Sequence, residues 1–376
     1  MSTDKPVVIY GASGYTGRLV AEYCREYSLP FLALGRDAER VSSVVDKLPG
    51  ITEVEHSVAA VDHTVEALAE AIDGAKVVIN TVGPFLDLGH PVVEACLQVG
   101  AHYLDTNGEQ PWMMQAEETH GASFAEAGLA LAPGVAQMYT TGEIAANLAL
   151  ETPGLDTLDI LVLWKGAPTT ASTETIFSTL MTTAYYLENN AYVAWPDGIT
   201  NEVQVPGQHE LAMTTPWSGT AHPVWFKNDG RVQTVKAYGG VFDRGLMNVV
   251  KQITDTVNEQ VKPLPTREAQ QAAIAEIKKQ VAAPMPPREN QRYNRSIDSA
   301  WATGPVGAVH CVIHGACNYK QTALLSAHGA YQLVNGGPPR RTGFASGCQL
   351  WGYRDLLAVL QSFGLVGTPQ ITGSAR

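Results

Sequence analysis

The sequence predicts an α/β fold in which a doubly wound parallel sheet is followed by a second domain of α+β type with a mostly antiparallel sheet. Short apolar runs alternate with helical segments through the first 135 residues, and a glycine-rich turn follows the first run. Beyond residue 136, helices mix with proline-punctuated polar stretches and a predicted strand pair. The 376 residues are enough for two such domains.

The first predicted strand and the turn after it are the most informative stretch of the chain. Val7–Tyr10 is a short apolar run, typical of a strand buried on both faces of a parallel sheet. An amphipathic helix and a second strand, Phe31–Leu34, follow the turn. Glycines permit a tight turn, close approach of a ligand and close packing of the helix. Because a helix N-terminus favours an anion, we expect the turn to bind the pyrophosphate of a dinucleotide. Its residues are Gly11, Ala12, Ser13, Gly14, Tyr15, Thr16 and Gly17.

The residue after the second strand indicates which dinucleotide binds. A site that selects NAD usually has an acidic residue there, which bonds the ribose 2′-hydroxyl. This chain has Arg36, whose guanidinium can pair with a 2′-phosphate or stack on adenine. The alternative is that Arg36 is solvated and that Asp37 caps the next helix. The sequence favours NADP(H) over NAD(H).

Later predicted strands also end in polar or turn residues. Val58–Val61 leads to Asp62, which either meets the adenine edge or caps the following helix. Lys76–Thr81 runs into a Val-Gly-Pro turn, which we expect beside the glycine turn and along the nicotinamide ribose. His102–Leu104 is followed by a polar loop. The predicted cofactor residues in this group are Asp62, Thr81, Val82, Gly83, Pro84 and Asn107.

The second part of the chain is predicted to mix helices and strands. Helices are expected at 135–149, 173–187, 246–261 and 356–363. Strands are expected at 158–164, 202–205, 224–227 and 232–238, with a strand pair at 307–316 and 321–328. A loop is expected to begin at the proline-rich segment 283–287 and to run to Gly304.

Composition excludes several classes of function. A net charge of -12 argues against nucleic acid and against an anionic membrane surface. No apolar run approaches the length of a membrane span, and the first strand begins too early for a signal peptide. The five cysteines are scattered without a metal-binding spacing, so we expect buried thiols and no metal. These features predict a cytoplasmic protein.

Several motifs together resemble the saccharopine dehydrogenase-like oxidoreductases. They are GASGYTGRLVAEY, LALGRD, VVINTVGPFLDLGHPVVEACLQVGAHYLDTNGE and a later PGV. The resemblance covers roughly residues 5–150 well and the rest of the chain only in outline. The family includes saccharopine reductases and trans-acting enoyl reductases. The segment DTNGE is similar to the loop of the enoyl reductases, whereas the PGV turn is closer to that of the amino-acid-type members.

The resemblance implies a Rossmann NAD(P)-binding domain formed by residues 1–135 and 335–376, and a substrate and dimerisation domain at 136–334. It implies a homodimeric enzyme that transfers hydride to a C=C or C=O bond of a hydrophobic small molecule. Two alternatives remain open: dehydrogenation at a C–N bond, and a dinucleotide-binding protein without turnover.

Three residues are candidates for the chemistry of hydride transfer, which often needs a proton donor. Tyr139 follows the PGV turn and can donate a proton, or else serve as a packing aromatic. Glu143 lies one turn later on the same helix face and alternatively pairs with a surface cation. Lys165 follows a strand and can bind a substrate carboxylate, or else be solvated.

Overall fold

A parallel sheet begins the chain in the computed structural model, which describes residues 3–281, 285–305 and 307–375. The elements of the first part are β1 (Val7–Tyr10), α1 (Tyr15–Glu26), β2 (Phe31–Gly35), α2 (Ala38–Val45), β3 (His56–Ala60), α3 (Val65–Ile72), β4 (Val77–Asn80), α4 (Phe85–Val99), β5 (His102–Asp105), α5 (Gln110–Glu126), β6 (Ala130–Ala132) and α6 (Gln137–Ala149). The predicted alternation of strand and helix is therefore present over this part of the chain.

The central part of the chain contains both strands and helices. Its elements are β7 (Thr157–Trp164), α7 (Thr170–Thr179), β8 (Tyr185–Glu188), β9 (Ala191–Ala194), β10 (Asn201–Gln204), β11 (Leu211–Thr214), α8 (His222–Phe226), β12 (Thr234–Val241), α9 (Arg244–Thr256), α10 (Arg267–Gln280), β13 (Arg295–Gly304) and β14 (Gly307–Ala316). A π-helical turn, Val257–Val261, extends α9. The chain ends with α11 (Asn318–Asn335), β15 (Gly343–Phe344), α12 (Gly347–Trp351), α13 (Tyr353–Ser362) and β16 (Gln370–Ala375).

Two compact units divide the described chain. Unit 1 contains the residues through Asn107, Trp112–Ile144 and Asn318–Leu365, and unit 2 contains Gly108–Pro111, Ala145–Cys317 and the residues from Val366 onward. The predicted division placed 136–334 in one domain and 335–376 in the other. The unit boundaries differ from it because α11 packs against α1 in unit 1, whereas β16 pairs with β14 in unit 2.

Unit 1 contains a seven-stranded sheet in the order β15-β6-β5-β4-β1-β2-β3, and every pair of neighbours is parallel. Strands β1, β2 and β4 are buried along their whole length, as their continuous apolar runs require. Helix α11 is buried along most of its surface, and its His328 accepts or donates a 3.0 Å hydrogen bond with Tyr27 at the end of α1. This is the predicted doubly wound sheet.

Unit 2 contains a mixed sheet in the order β16-β14-β13-β7-β12-β8-β9, in which only β7 and β12 run parallel among the named strands. Its core includes Leu161, Leu163 and Ile297 on neighbouring strands, covered by the β10–β11 hairpin through Val203 and Val205. A mostly antiparallel sheet beside helices confirms the predicted α+β character of this part.

Four local predictions were wrong. The stretch 321–328 is helical, within α11, because small and apolar residues on all its faces suit a buried helix as well as a strand. The helix predicted at 173–187 ends at Thr179, and Tyr185–Glu188 is β8. The segment 224–227 lies mostly in the short helix α8, where Pro223 occupies the first turn. The loop expected to reach Gly304 ends early, since Arg295–Gly304 is β13.

Candidate functional site

The order of strands in unit 1 brings the ends of β1 and β4 together. The chain passes from β1 to β2 and β3 on one side, and continues through β4, β5 and β6 on the other. Thr81, directly after β4, donates a 2.9 Å hydrogen bond from its hydroxyl to the Tyr10 carbonyl at the end of β1. Its backbone N–H bonds the same carbonyl at 2.9 Å. This is the reversal point at which open α/β sheets bind ligands.

Two glycines of the turn are required by the packing of the protein itself. Gly11 has φ +90°, and a Cβ there would lie 2.6 Å from Thr81 Oγ1 and 2.8 Å from Val82 Cγ2. A Cβ on Gly17 would lie 2.3 Å from the Gly11 carbonyl oxygen and 2.8 Å from Ala12 Cα. These contacts allow the sharp turn and bring α1 close to it. Around them, Ala12 and Tyr15 are buried, whereas Ser13 and Thr16 are partly exposed.

Gly14 differs from these two glycines because the protein does not fill the space beside it. It is the N-cap of α1 in an extended conformation, with φ -74° and ψ 169° and no side-chain cap. A Cβ there would meet one atom within 4 Å, the Gly11 carbonyl oxygen at 3.2 Å. Helix α1 has no acidic residue in its first turn. The helix N-terminus therefore presents N–H groups beside open space, an arrangement that fits a phosphate.

Aromatic and basic side chains lie at the ends of β1, β2 and β3. The Tyr10 hydroxyl and His63 Nδ1 are 2.9 Å apart, and the two rings stack at 6.0 Å. Burial raises the pKa of Tyr10 and lowers that of His63, and the Arg36 charge lowers both pKa values. Arg36 itself is exposed. An exposed guanidinium near two stacked rings can donate hydrogen bonds to a phosphate, and its flat face can stack on a base.

The structure tests whether Asp37 and Asp62, at these strand ends, cap the helices that follow them. Asp37 caps α2, accepting a 3.0 Å hydrogen bond from the Arg40 N–H. Asp62 is exposed and is not the cap of α3, because Thr64 holds that position and accepts a 3.2 Å bond from the Ala67 N–H. The capping alternative for Asp62 was therefore wrong.

Asp105, at the end of β5, is a fully buried carboxylate with five donors. Oδ1 accepts hydrogen bonds from the Asn107 N–H at 3.0 Å, the Asn107 side-chain amide at 2.6 Å and the Gly134 N–H at 2.8 Å. Oδ2 accepts from the Tyr103 hydroxyl at 2.9 Å and the Trp112 indole at 2.8 Å. Burial raises the pKa of Asp105, while the bonds from Asn107, Trp112 and Gly134 lower it. All five groups donate, so the ionised carboxylate is the form that satisfies them.

This carboxylate connects the ends of three neighbouring strands. The Gly134 bond fixes the Pro-Gly-Val turn after β6, and the Val135 N–H also bonds the Asp105 carbonyl at 2.8 Å. Tyr103 in turn accepts a 3.1 Å bond from Asn80 at the end of β4. Asn80 Oδ1 accepts a 2.9 Å bond from the Val82 N–H, where the predicted nicotinamide segment begins. Gly83 and Pro84 follow, partly exposed, and Pro84 is the N-cap of α4.

The three catalytic candidates occupy different surroundings. Tyr139 is fully buried on α6 of unit 1. Glu143, one turn later, is also buried; its carboxylate accepts hydrogen bonds from the Ser346 hydroxyl and, at 3.4 Å, from the Cys348 N–H at the start of α12. Burial, together with Glu143, raises the pKa of the Cys348 thiol. The expected pairing of Glu143 with a surface cation was therefore wrong. Lys165 is exposed in unit 2, and its ammonium lies 4.6 Å from the Tyr293 ring centre.

Family models match both parts of the chain. Residues 7–131 match the saccharopine dehydrogenase NADP binding domain. Residues 140–375 match a model described as a family of unknown function, DUF5938. The chain belongs to this DUF5938 family. The N-terminal match confirms the predicted resemblance and the predicted NADP class of cofactor.

Known relatives are similar to about a third of the chain. A lipid droplet localized protein from Caenorhabditis elegans is 35% identical over 131 residues, 33% of this chain and 31% of that protein. A trans-acting enoyl reductase from Mycobacterium leprae is 34% identical over 134 residues, 34% of this chain and 32% of that protein. The chain thus spans about a third of the length of the curated relatives it matches.

A likeness in structure extends over nearly the whole chain. Saccharopine dehydrogenase (L-Glu forming) from Saccharomyces cerevisiae matches with a TM-score of 0.62 at 10% identity, covering 98% of this chain and 100% of that one. This likeness confirms the predicted fold, and the names of the relatives agree with the predicted oxidoreductase class. Among the described residues, no helix has both the length and the apolar character needed to cross a membrane. All five cysteines are buried free thiols, as predicted.

Sequence reasoning placed Asp105 in a loop motif but missed that it organises the site. Trp112, Asn80 and Tyr103 were missed altogether. One signal was available: Asn80 and Asp105 are polar residues that end otherwise apolar strands, where an unpaired polar group would be costly. The contribution of Trp112 had no such signal, since its indole reaches Asp105 from a helix seven residues later.

We expect Asp105→Asn to destabilise unit 1. An asparagine side chain has one acceptor oxygen and one NH₂ group. The NH₂ group must replace either Oδ1, which faces three N–H donors, or Oδ2, which faces the Trp112 indole. In both orientations at least one buried donor loses its acceptor. The free energy of unfolding should fall by about 2–4 kcal/mol. Asp87→Asn, at an exposed position in the first turn of α4, is the matched control and should cost less than about 1 kcal/mol. Urea denaturation measures both, and equal stabilities would contradict the proposed role of Asp105.

We expect Gly14→Val to weaken NADPH binding while the protein stays folded. The backbone of Gly14 is allowed for valine, and the added side chain enters the space assigned to the pyrophosphate. The Kd measured by calorimetry should rise about tenfold or more. Gly17→Ala is the contrasting variant, because its Cβ meets backbone atoms and should lower the melting temperature instead. An unchanged NADPH affinity in the Gly14 variant would remove the pyrophosphate from this turn.

Proposed function

We propose that the chain is an NADPH-dependent reductase that acts on a C=C or C=O bond of a hydrophobic small molecule. The observation that carries the proposal is the glycine turn between β1 and α1, with a helix N-terminus facing open space at Gly14. When bound there, NADPH supplies the hydride. The protein's part is to hold the dinucleotide, orient the substrate and supply a proton.

The cofactor-binding residues in this proposal belong to unit 1. Backbone N–H groups at the start of α1 bind the pyrophosphate, and Arg36 pairs with the 2′-phosphate. Asp62 meets the adenine edge. The turn after β4 lies along the nicotinamide ribose, with Asn107 beside it. The residues of that turn are Thr81, Val82, Gly83 and Pro84, and Asn80 and Asp105 hold this edge of the sheet in place.

For the catalytic step, Tyr139 remains the proposed proton donor, with Glu143 and Lys165 as further candidates. Tyr139 lies in the first turn of α6, just after the Pro-Gly-Val turn, and Asp105 fixes that turn through Gly134. Glu143 accepts a hydrogen bond from Ser346 beside α12, and Lys165 lies against the Tyr293 ring. Tyrosine is a suitable donor because its hydroxyl transfers a proton without a permanent charge in the ground state.

The proposed class of substrate rests on the names of the relatives. One is named a trans-acting enoyl reductase and another a lipid droplet localized protein, and both names favour an apolar substrate. The proposal also includes a homodimer, which light scattering can test, and a location in the cytoplasm, which cell fractionation can test.

Turnover of NADPH tests the proposed function. The purified chain is mixed with NADPH and a panel of enoyl, carbonyl and imine compounds with apolar substituents, and the loss of NADPH absorbance is followed. Reduction of an enoyl or carbonyl compound supports the proposal. Turnover with imines alone would reassign the chain to C–N chemistry, and NADPH binding without turnover on any compound would make it a binding protein.

We expect Arg36→Ala to change cofactor preference. Loss of a charge-assisted hydrogen bond to the 2′-phosphate should cost about 1.5–3 kcal/mol, so NADPH binding should weaken about tenfold or more while NADH binding stays nearly constant. Arg40→Ala, an exposed arginine on the following helix, is the control and should leave both affinities unchanged. Equal losses for NADPH and NADH would show that Arg36 stacks on adenine instead.

We expect Tyr139→Phe to reduce turnover without loss of cofactor. The substitution removes only the hydroxyl and keeps the buried ring. If the hydroxyl donates the proton, kcat should fall by about 10²–10⁴ while the Kd for NADPH is unchanged. Full activity in this variant would leave Tyr139 as a packing residue and move the search to Glu143 and Lys165.

A further inference from the structure

Unit 2 contains a cavity of about 120 Å³. Its walls come from four separate segments: the end of α7, the 195–200 loop, the turn at 215–217, and α9 with the π-helical turn after it. The residues that carry the argument below are Trp195, Trp217, Thr179, Thr254, Lys251 and Lys262. None of them was a candidate for the cofactor or for catalysis.

Two tryptophans form apolar walls that the scaffold holds in place. The Trp195 ring packs on Tyr186 at 4.6 Å and on Tyr238 at 5.6 Å. Trp217 adopts a left-handed backbone conformation with φ +45°, which is unfavourable for a bulky residue. It can do so because it faces Gly239, where a Cβ would lie 2.9 Å from the Trp217 Cβ. Strained residues of this kind concentrate at binding sites.

Three threonine hydroxyls in the walls donate to backbone carbonyls of the protein. The Thr179 hydroxyl donates to the Ile176 carbonyl at 2.9 Å, and the Thr254 hydroxyl donates to the Val250 carbonyl at 2.8 Å. The Thr182 hydroxyl likewise donates to the Thr179 carbonyl at 2.8 Å. The hydroxyl protons of these three threonines are therefore used within the protein, which suits a ligand with an apolar body better than a sugar.

Two ammonium groups are the charged donors of the cavity. Lys251 Nζ bonds Asp255 at 2.6 Å, and Lys262 Nζ bonds Asp197 at 2.7 Å. An ammonium has three donors, so each lysine retains capacity for an acceptor on a ligand. The side chains are partly exposed, 38% for Lys251 and 25% for Lys262, so an anion can reach them without full desolvation.

The volume of the cavity limits the size of the ligand. An apolar cavity of about 150 Å³ is known to bind benzene, so a space of this size holds one ring or a chain of about six carbons. From the walls, the donors and the volume we propose that unit 2 binds a small carboxylate with an apolar body, with the ring or chain between Trp195 and Trp217 and the carboxylate at Lys251 and Lys262. This site does not depend on the proposed reductase activity.

Calorimetry with defined probes tests the site on the full-length chain. Benzoate and hexanoate are the ligands, and benzamide and hexanamide are neutral probes of the same shape. Inorganic phosphate tests charge without an apolar body. The carboxylates should bind at least about tenfold more tightly than the amides, because they gain charge-assisted hydrogen bonds. Equal affinity of acids and amides, tighter binding of phosphate, or no binding of either carboxylate would overturn the proposal.

Substitutions in the cavity test where the carboxylate binds. Lys251→Gln and Lys262→Gln should each weaken benzoate about tenfold, whereas Lys279→Gln, which removes an exposed lysine of α10 outside the cavity, should have no effect. Thr254→Trp should abolish binding by filling the space. Thermal unfolding of each variant confirms that it is folded. If Thr254→Trp is unstable, the lysine pair and the Lys279 control still decide the outcome, and an equal loss in all three lysine variants would place the anion elsewhere.

Discussion

The buried carboxylate of Asp105 is the interaction on which the candidate cofactor site depends. A charge in the interior is costly unless several donors satisfy it, and here five groups do so. Those donors come from β5 itself, the loop after it, helix α5 and the turn after β6. Removing the carboxylate would leave several buried N–H groups without an acceptor, so each of these segments is held in one position. The site edge is therefore rigid because its polar groups satisfy one another.

The glycine turn lies at the same edge of the parallel sheet, and its three glycines are required for different reasons. Gly11 and Gly17 are fixed by contacts within the protein, since a side chain at either position would collide with neighbouring atoms. Gly14 is not constrained in this way, because its missing side chain leaves space that the protein does not use. Open space beside a helix N-terminus fits the anion that the proposed function places there. Gly11 and Gly17 are thus required by packing, and Gly14 leaves room for a ligand.

Much of unit 1 could be predicted from sequence because its signals are local. A continuous apolar run such as Val77–Asn80, a turn of glycines and an amphipathic helix each depend on neighbours in the chain. The failures depend on distant partners. The stretch 321–328 is apolar enough for a strand, and only its packing against α1 makes it helical. Trp112 was missed, because its bond to Asp105 exists only once the chain folds back. Glu143 was expected as a catalytic group or beside a surface cation, yet it is buried and bonds Ser346, some two hundred residues later.

The same reasoning explains why the cofactor class can be read from the sequence and the ligand of the unit 2 cavity cannot. The candidate dinucleotide site is built from strand ends in the first 135 residues, and the NADP binding domain model matches residues 7–131. The cavity of unit 2 is built from four segments between Ile176 and Lys262 that are separated in sequence, and each contributes several residues. No short motif can record such an arrangement. The close approach of Trp217, at positive φ, to Gly239 of β12 is visible only in three dimensions. The ligand of this cavity therefore depends on packing geometry, and it is best sought with chemical probes of defined shape and charge.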